Sequence, residues 1–519
     1  MIPTKEQEQA MKLFQEGRTF RIEAYAGTGK TSTLEMLGRN SGARKGLYIA
    51  FNTSIVGKAK SKFPKNVECR TTHSLAWRTV RSHGDYSNEK LRHSMNGPAI
   101  ADFLDLKEDP IRLPQFTVSR VSFANLIGRS CKQFMLSIDE KPERTHILRT
   151  GRLEWLADSD FDEFCEMTLV YVRRLWQGMI DPHTKAMLGH DGYLKLWSLR
   201  CPTISNDFIL LDEAQDTNAA VLSVLKCQTC QVVYVGDPYQ QIYEWRGAIN
   251  AMEKMHTEDV SYLTKSFRFG EGIASGATKV LRKLGAPKEL TGHDTKVSHI
   301  GPVEPVAILC RTNAGLFSWL PFGIGYGPCH IVGGTSELER LLDDVRRLKK
   351  GVAAISPEFF GFSSWKELVL YVEQEGDQQL RTFVKLVEVN GEEQLLEWLK
   401  QTTETEEEAR IVLSTAHKAK GREWPTVLVA DDFASAFDRC VEIGSQGLRI
   451  KNEEQFKAEA RLFYVAMTRG LDGVELPKIP MLYFGITPTT QTTVRPVGMG
   501  VIPPVTHTQE EPYIDPTSE

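Results

Sequence analysis

The segment Ala24-Tyr-Ala-Gly-Thr-Gly-Lys30-Thr31 constrains the fold of this 519-residue chain more than any other stretch. It follows a short apolar run, Phe20 to Ala24, and opens an amphipathic stretch from Ser32 to Leu37. A strand, a glycine-rich turn and a helix in that order gather backbone N–H groups at a helix N-terminus, which is an anion site. Ala24 stands where such a loop usually begins with glycine, while Gly27, Thr28 and Gly29 keep the turn itself. Lys30 is placed to reach the β and γ phosphates of a bound nucleotide, and the Thr31 hydroxyl to ligate magnesium. A loop of this kind sits at the carboxyl edge of a parallel sheet, so the fold class expected is α/β.

Three further apolar runs read as buried parallel strands: Gly46 to Phe51, Phe208 to Leu211 and Gln231 to Val235. The second of these runs directly into Asp212-Glu213-Ala214-Gln215-Asp216. An acid at a strand end can hold magnesium, and its neighbour can orient an attacking water. Asp212 is assigned to the metal and Glu213 to the water. Runs at Val303 to Leu309, Arg410 to Leu413 and Pro425 to Ala430 suggest a second sheet of the same kind. Residues 81–199 and 335–405 carry helical periodicity and many charges, and read as helical insertions. The expected organisation is a first α/β domain from 1–80 plus 200–262 and a second from 263–334 plus 406–476, each interrupted by one insertion. From 477 to 519, prolines among threonine and glycine predict an extended or disordered tail.

Composition sets limits without choosing a partner. The length calls for several domains. No apolar run approaches the roughly 18 residues of a membrane span, and the polar N-terminus lacks a signal core. Nine cysteines without a repeating spacing suit a reducing cytoplasm better than a disulfide scaffold. Cys227-Gln-Thr-Cys230 has no second pair, so these read as structural thiols rather than a zinc site, and Cys201 stands alone. A net charge of −4 neither announces nor excludes a nucleic-acid partner, since a local basic groove is enough. The basic run Arg346 to Lys350 reads as a solvated helix face.

Seven more blocks stand in order around the P-loop and the Asp-Glu pair. They are Thr4-Lys-Glu-Gln7, Ala50-Phe51-Asn52-Thr53-Ser54, and Thr71-Thr72-His73-Ser74-Leu75-Ala76. Then come Val235-Gly-Asp237-Pro-Tyr-Gln240-Gln241-Ile-Tyr243-Glu-Trp245-Arg246-Gly247 and Ser266-Phe267-Arg268. Thr415-Ala-His417-Lys-Ala-Lys420-Gly421-Arg-Glu423-Trp424 and Tyr464 to Arg469 complete the set. Together, from Thr4 to Arg469, they resemble the motifs of UvrD/Rep-type superfamily 1A DNA helicases, most closely the F-box DNA helicase-like branch.

The resemblance implies two RecA-like P-loop NTPase domains with ATP and Mg2+ between them. It implies an ATP-dependent helicase that moves 3′→5′ on single-stranded DNA and unwinds duplex DNA in repair, recombination or replication. Gln7 and Phe267 would then meet adenine and Glu423 ribose, with Gly421 beside them. Gln240 and Arg246 would sense the γ-phosphate from the first domain, and Arg268 and Arg469 from the second. Phe51, Tyr243 and Trp245 would stack on bases, each stack being worth about 1–3 kcal/mol. Asn52, Thr72, His73 and His417 would line the DNA track. Composition alone does not select these arginines, any of which could be a surface ion pair.

There are departures from the pattern. Ser32 replaces an arginine common after the P-loop threonine, Gly470 replaces an alanine, and no F-box segment precedes Thr4, so ubiquitin-ligase attachment is not carried over. The expected location is the cytoplasm in association with DNA, or the nucleus in a eukaryote. A 5′→3′ helicase of the sister group is the alternative within the class, disfavoured by the Phe51, Tyr243 and Trp245 set. A non-unwinding, ATP-gated clamp that displaces proteins is the alternative outside it. Phosphate contacts and stacking serve RNA as well as DNA.

Overall fold

Strands that are apolar on both faces are stable only when helices cover both sides of their sheet. The computed structural model describes residues 2–50, 53–82, 84–243, 252, 257, 259–356, 359–375, 378–444 and 447–489. It contains two six-stranded sheets built in this way. In the first, the spatial order is Val67–Thr71, Gly46–Ala50, Phe208–Leu211, Gln231–Gly236, Phe20–Ala24, Asp259–Leu263, and every pairing is parallel. Phe20–Ala24 is an interior strand next to the edge, with Ile22 opposite Val235 on one side and Ser261 on the other. The P-loop, Asp212 and Asp237 therefore all leave one carboxyl edge.

The second sheet is also parallel throughout. Its order is Cys329–Ile331, Ile411–Thr415, Ala307–Cys310, Trp424–Val429, Gly470–Glu475, His299–Ile300.

Each sheet is interrupted by a helical insertion. Between Val67–Thr71 and Phe208–Leu211 the long helices are Arg120–Leu136, Asp158–Ile180 and Gly189–Arg200. Asp158–Ile180 buries Phe161, Cys165, Leu169, Val172, Trp176 and Met179, a stripe at three- and four-residue spacing. These helices share one core with Ile49, Ile209 and Tyr234 of the first sheet. A short antiparallel pair, Ile111–Arg112 with Thr117–Val118, interrupts the helical run. The second insertion holds Ser336–Lys349, Trp365–Glu375 and Gln378–Lys400. Within the basic run, Arg346 and Lys349 pair with Glu393 and Glu392 of the same insertion. Among the described residues no helix is long and apolar enough to cross a membrane.

Two expectations are corrected. Lys478–Phe484, expected as the start of an extended tail, is a helix, and Tyr483, Phe484 and Ile486 are buried. Phe484 stacks on Phe463 with ring centroids 5.6 Å apart and meets the Phe437 ring edge-on at 5.4 Å. Thr489 exchanges hydrogen bonds with Ile300 at the sheet edge. Prolines dominated the reading of this stretch, but its apolar residues find a groove on the second core. Residues 490–519 of the expected tail lie outside the described residues. The second correction concerns thiols. Cys201 does not stand alone but is disulfide-bonded to Cys227, while Cys230 is free. The two bonded cysteines end the helices Gly189–Arg200 and Ala219–Lys226, which the fold brings together.

Phe484→Ala is expected to lower the unfolding free energy of the second half by about 3–5 kcal/mol, as for other buried phenylalanines. Denaturant unfolding measures this, and a change below about 1 kcal/mol would place Lys478–Phe484 outside the core.

Candidate functional site

The P-loop is shaped by two left-handed glycines, Gly27 (φ 75°) and Gly29 (φ 79°). Gly27 could not carry a side chain for a second reason. A Cβ there would lie 2.6 Å from both the Arg268 Cβ and the Ser266 Oγ. The Phe267 N–H donates to the Gly27 carbonyl at 2.7 Å, so the loop backbone is clamped by the segment 266–268. Tyr25 and Ala26 are buried within the hydrophobic core of the second half. The helix Lys30–Arg39 begins without a side-chain cap, which leaves its first N–H groups for a ligand.

A cavity of about 770 Å³ opens between the halves. Gly27 to Ser32 and Glu213 line it from the first half, and Phe267, Arg268, Gly421, Glu423 and Arg469 from the second side. Ala24 is fully buried at the strand end beneath the loop, and Thr28 donates its hydroxyl to the Tyr25 carbonyl. The volume and the paired cations suit a nucleoside triphosphate. Phe267 is 40% exposed, and its ring lies 3.5 Å from where a Gly29 Cβ would be, so an apolar face is offered at the cavity mouth. Gln7 is buried; its Nε2 donates to Thr33 at 3.0 Å and its Oε1 accepts from the Thr4 N–H at 2.9 Å. Gln7 is not among the residues that line the cavity, although one of its amide hydrogens and one lone pair have no hydrogen-bond partner among the described residues.

Charge is concentrated on the seam. Lys30 Nζ lies 3.4 Å from Glu213, whose backbone is itself left-handed at φ 51°. Burial works to raise the Glu213 carboxyl, but Lys30 and then Lys420 outweigh it and hold it below its ordinary value. Burial, then the adjacent Glu213 charge, pushes Asp212 the other way. Asp212 accepts from the Tyr48 hydroxyl at 2.7 Å and from the Glu213 N–H at 2.9 Å. Thr31 and Asp212 are the hard oxygen donors that could hold magnesium here. Among the described residues no cluster of three or more His, Cys, Asp or Glu could hold a metal. Phosphate oxygens and water would therefore complete such an ion's shell, as magnesium prefers.

From the second half, Arg268 pairs with Glu423 at 2.8 Å and donates to the Thr468 carbonyl at 3.0 Å. Arg469 is 1% exposed and donates to Gln240 Oε1 at 3.4 Å. Burial, and then the nearby Arg268, lower it to about 9. Lys420, quoted above only as part of a block, bridges the halves: its ammonium reaches Asp216 and the Gln240 carbonyl, both at 2.6 Å. Burial nonetheless raises Asp216 to about 6. Spacing along the chain gave no hint of this pair, since the two residues belong to different sheets.

The proposed track residues are brought only partly together. Thr72 and His73 open the helix Thr72–Ser82, and the His73 ring lies 6.1 Å from His190 and 6.0 Å from Tyr193. Burial lowers His73. Tyr243 donates its hydroxyl to the His417 carbonyl at 3.0 Å, with the Lys420 ammonium 5.2 Å from its ring. Tyr243 also lines the nucleotide cavity, so it sits at the meeting of cleft and seam. Phe51, Asn52, Trp245 and Arg246 lie outside the described residues.

A P-loop closed by a second parallel α/β unit, with cations converging from both, defines a tandem RecA-like P-loop protein. Residues 203–259 match the UvrD/REP helicase N-terminal domain and 362–472 the UvrD-like helicase C-terminal domain. Both halves of the chain thus carry a match to a UvrD-like helicase domain. It is 30% identical to F-box DNA helicase 1 of Gallus gallus, over 87% of this chain and 46% of that protein. It is likewise 30% identical to F-box DNA helicase protein 1 of Schizosaccharomyces pombe, over 87% of this chain and 55% of that protein. The ATP-dependent DNA helicase srs2 of the same yeast is 24% identical over 61% of this chain and 38% of its own length. The chain thus spans about half the length of the two F-box helicases it matches.

Lys420→Ala is expected to cost about 3–5 kcal/mol, because it strands the Asp216 carboxylate without its counter-ion. Adding Asp216→Asn should return most of that loss in denaturant unfolding. Independent, additive losses would show that the pair does not act as one.

Proposed function

We propose that this chain is an ATP-dependent DNA helicase that moves 3′→5′ on single-stranded DNA and unwinds duplex DNA. The observation that carries the reading is one cavity with Lys30 and Glu213 on the first half and Arg268 and Arg469 on the second. ATP with magnesium would supply a transferable γ-phosphoryl group there. Thr31 and Asp212 would hold the metal. Lys30 would leave Glu213 for phosphate, and Glu213, kept ionised by its lysine neighbours, would orient water. Gln240, Arg246, Arg268 and Arg469 would neutralise charge on the departing phosphate, an effect worth about three to five powers of ten for an arginine finger. Gln7, Phe267, Gly421 and Glu423 would hold base and sugar. Because the cations come from both halves, bound ATP favours closure and hydrolysis releases it, which is hinge motion across one cleft.

DNA is favoured as the track by the names of the relatives, each called a DNA helicase. Phe51, Tyr243 and Trp245 would stack on bases while Asn52, Thr72, His73 and His417 line the strand. Work in DNA repair, recombination or replication, in the nucleus of a eukaryotic host, follows from the same kinship. The organisation proposed is two motor domains, 1–80 plus 200–262 and 263–334 plus 406–476, with the insertions 81–199 and 335–405 between their parts.

Lys30→Ala is expected to abolish ATPase activity. Glu213→Gln should retain nucleotide binding while turnover falls by about 10²–10⁴-fold; hydrolysis at the parent rate would remove Glu213 from the water-orienting role. Strand displacement with 3′-tailed, 5′-tailed and RNA-tailed duplexes tests the track. Unwinding is expected only from the 3′ DNA tail, and a preference for the 5′ tail would reverse the polarity.

A further inference from the structure

Tyr464 lies on the helix Glu453–Met467 of the second half and is fully buried, yet its hydroxyl is fully used. It accepts the Ala26 N–H of the P-loop at 3.0 Å. It donates to Asp237 Oδ2, also of the first half, at 3.3 Å. The same carboxylate oxygen accepts from Gln240 Nε2 at 2.7 Å, and Gln240 Oε1 accepts from Arg469 at 3.4 Å. One chain of hydrogen bonds therefore runs from the P-loop backbone, through a second-half phenol, to Gln240 and Arg469, the pair proposed above to meet the γ-phosphate.

From this geometry we propose that Tyr464 is a positioning residue for hydrolysis, fastening the P-loop to the Asp237–Gln240–Arg469 array when the halves are together. The proposal rests on the ATPase reading given above.

Tyr464 does not line the nucleotide cavity, so it acts through its partners and not on substrate. Without it, the buried Ala26 N–H would lack an acceptor, a cost comparable to a lost hydrogen bond. Among the described residues, the carboxylate of fully buried Asp237 would keep as hydrogen-bond partners those of its own loop, Gln240 and the Tyr239 N–H. Burial, and then the nearby Asp237, hold the phenol well above its ordinary value, so it stays a donor at neutral pH. The adjacent P-loop residue is anchored to the same half: the Tyr25 hydroxyl donates to the Lys288 carbonyl at 3.2 Å and accepts the Lys288 N–H at 3.3 Å. Two successive P-loop residues thus bond to the second half. Separation of the halves breaks the Ala26–Tyr464–Asp237 link and frees the Asp237 carboxylate to turn, and Gln240 with it. Alignment of Gln240 with Arg469 then depends on the P-loop being engaged.

Tyr464→Phe removes one oxygen and keeps the ring. In the full chain, kcat with oligo(dT) is expected to fall by roughly tenfold, the size of one hydrogen bond. KM for ATP should stay within about twofold and Tm within about 2 °C, because no nucleotide contact and no apolar packing is lost. Amide exchange in the nucleotide-free protein should accelerate at residues 24–31 and 237–240 while the helix 453–467 keeps its protection. An unchanged kcat at normal Tm would overturn the proposal. So would a joint collapse of kcat, KM, Tm and helix protection, which would make Tyr464 simply core. If the unsubstituted chain hydrolyses no ATP, the helicase reading fails. The exchange measurement then decides alone, and unchanged exchange at 24–31 would refute the fastening.

Discussion

The structure depends on the burial of the P-loop backbone against the opposite half of the molecule. A glycine-rich turn exposes more N–H and C=O groups than it can satisfy internally, and an unpaired buried amide is costly. Here the Gly27 carbonyl is taken by the Phe267 N–H, and Tyr25 and Ala26 enter the second core. The outward edge of the loop is left for phosphate. The consequence is directional. The loop that would hold the phosphates cannot be completed by the first sheet alone, so nucleotide affinity and the spacing of the two sheets become one variable. Arg268 sits in the same tripeptide that clamps Gly27, which places a guanidinium on the cavity wall by the very contact that closes the loop.

Electrostatics on the seam follows from that closure. Asp212, Glu213, Asp216 and Asp237 come from the first half, faced by Lys420, Arg268 and Arg469 from the second and Lys30 from the first. Burial raises Asp212, Asp216 and Asp237, while Glu213 alone is held down because Lys30 and Lys420 both face it. The adjacent acids Asp212 and Glu213 are thus driven apart in basicity by their surroundings, and Glu213 is the one held ionised. Separation of tasks within a carboxylate pair is a recurrent route to acid–base function. Lys30 itself pairs with Glu213 at 3.4 Å.

The central strands of both sheets, the P-loop and the acidic strand end were legible because apolar runs, glycines and acids are local signals. Five of the twelve sheet strands were harder for definable reasons, one being Asp259–Leu263, an edge strand of mixed polar and apolar residues. Val67–Thr71 is an edge strand with charged alternate residues, and Gly470–Glu475 is broken by two glycines. Cys329–Ile331 and His299–Ile300 are too short to show periodicity. Among site residues, Lys420, Asp237 and Tyr464 were quoted inside motifs without a role. Their partners lie across the cleft, Asp216 with Lys420 and Ala26 with Tyr464, at separations of 204 and 438 residues. No local pattern carries such a pairing. The disulfide between Cys201 and Cys227 escaped for the same reason, since helix ends rather than sequence neighbours bring the sulfurs together.

The halves also meet away from the cleft. Arg152 of the first insertion ion-pairs with Glu367 of the second and donates to the Gly361 carbonyl at 3.3 Å. Its guanidinium lies 4.8 Å from the Phe116 ring centroid and 5.1 Å from that of Trp155. Phe360, from the second insertion, is buried in the core of the first. Cation–π and ion-pair contacts stacked on one arginine are individually worth about 0.5–2 kcal/mol, and a buried phenylalanine adds a few more. That is comparable to the free energy available from one buried ion pair at the cleft. The halves are thus joined at two places, and breaking the nucleotide seam alone leaves the insertion contact in place. Opening of the cleft must either hinge about the insertion contact or carry the insertions along with it. In both cases the insertions take part in any motion that opens the cleft, since their contact constrains the axis of that motion.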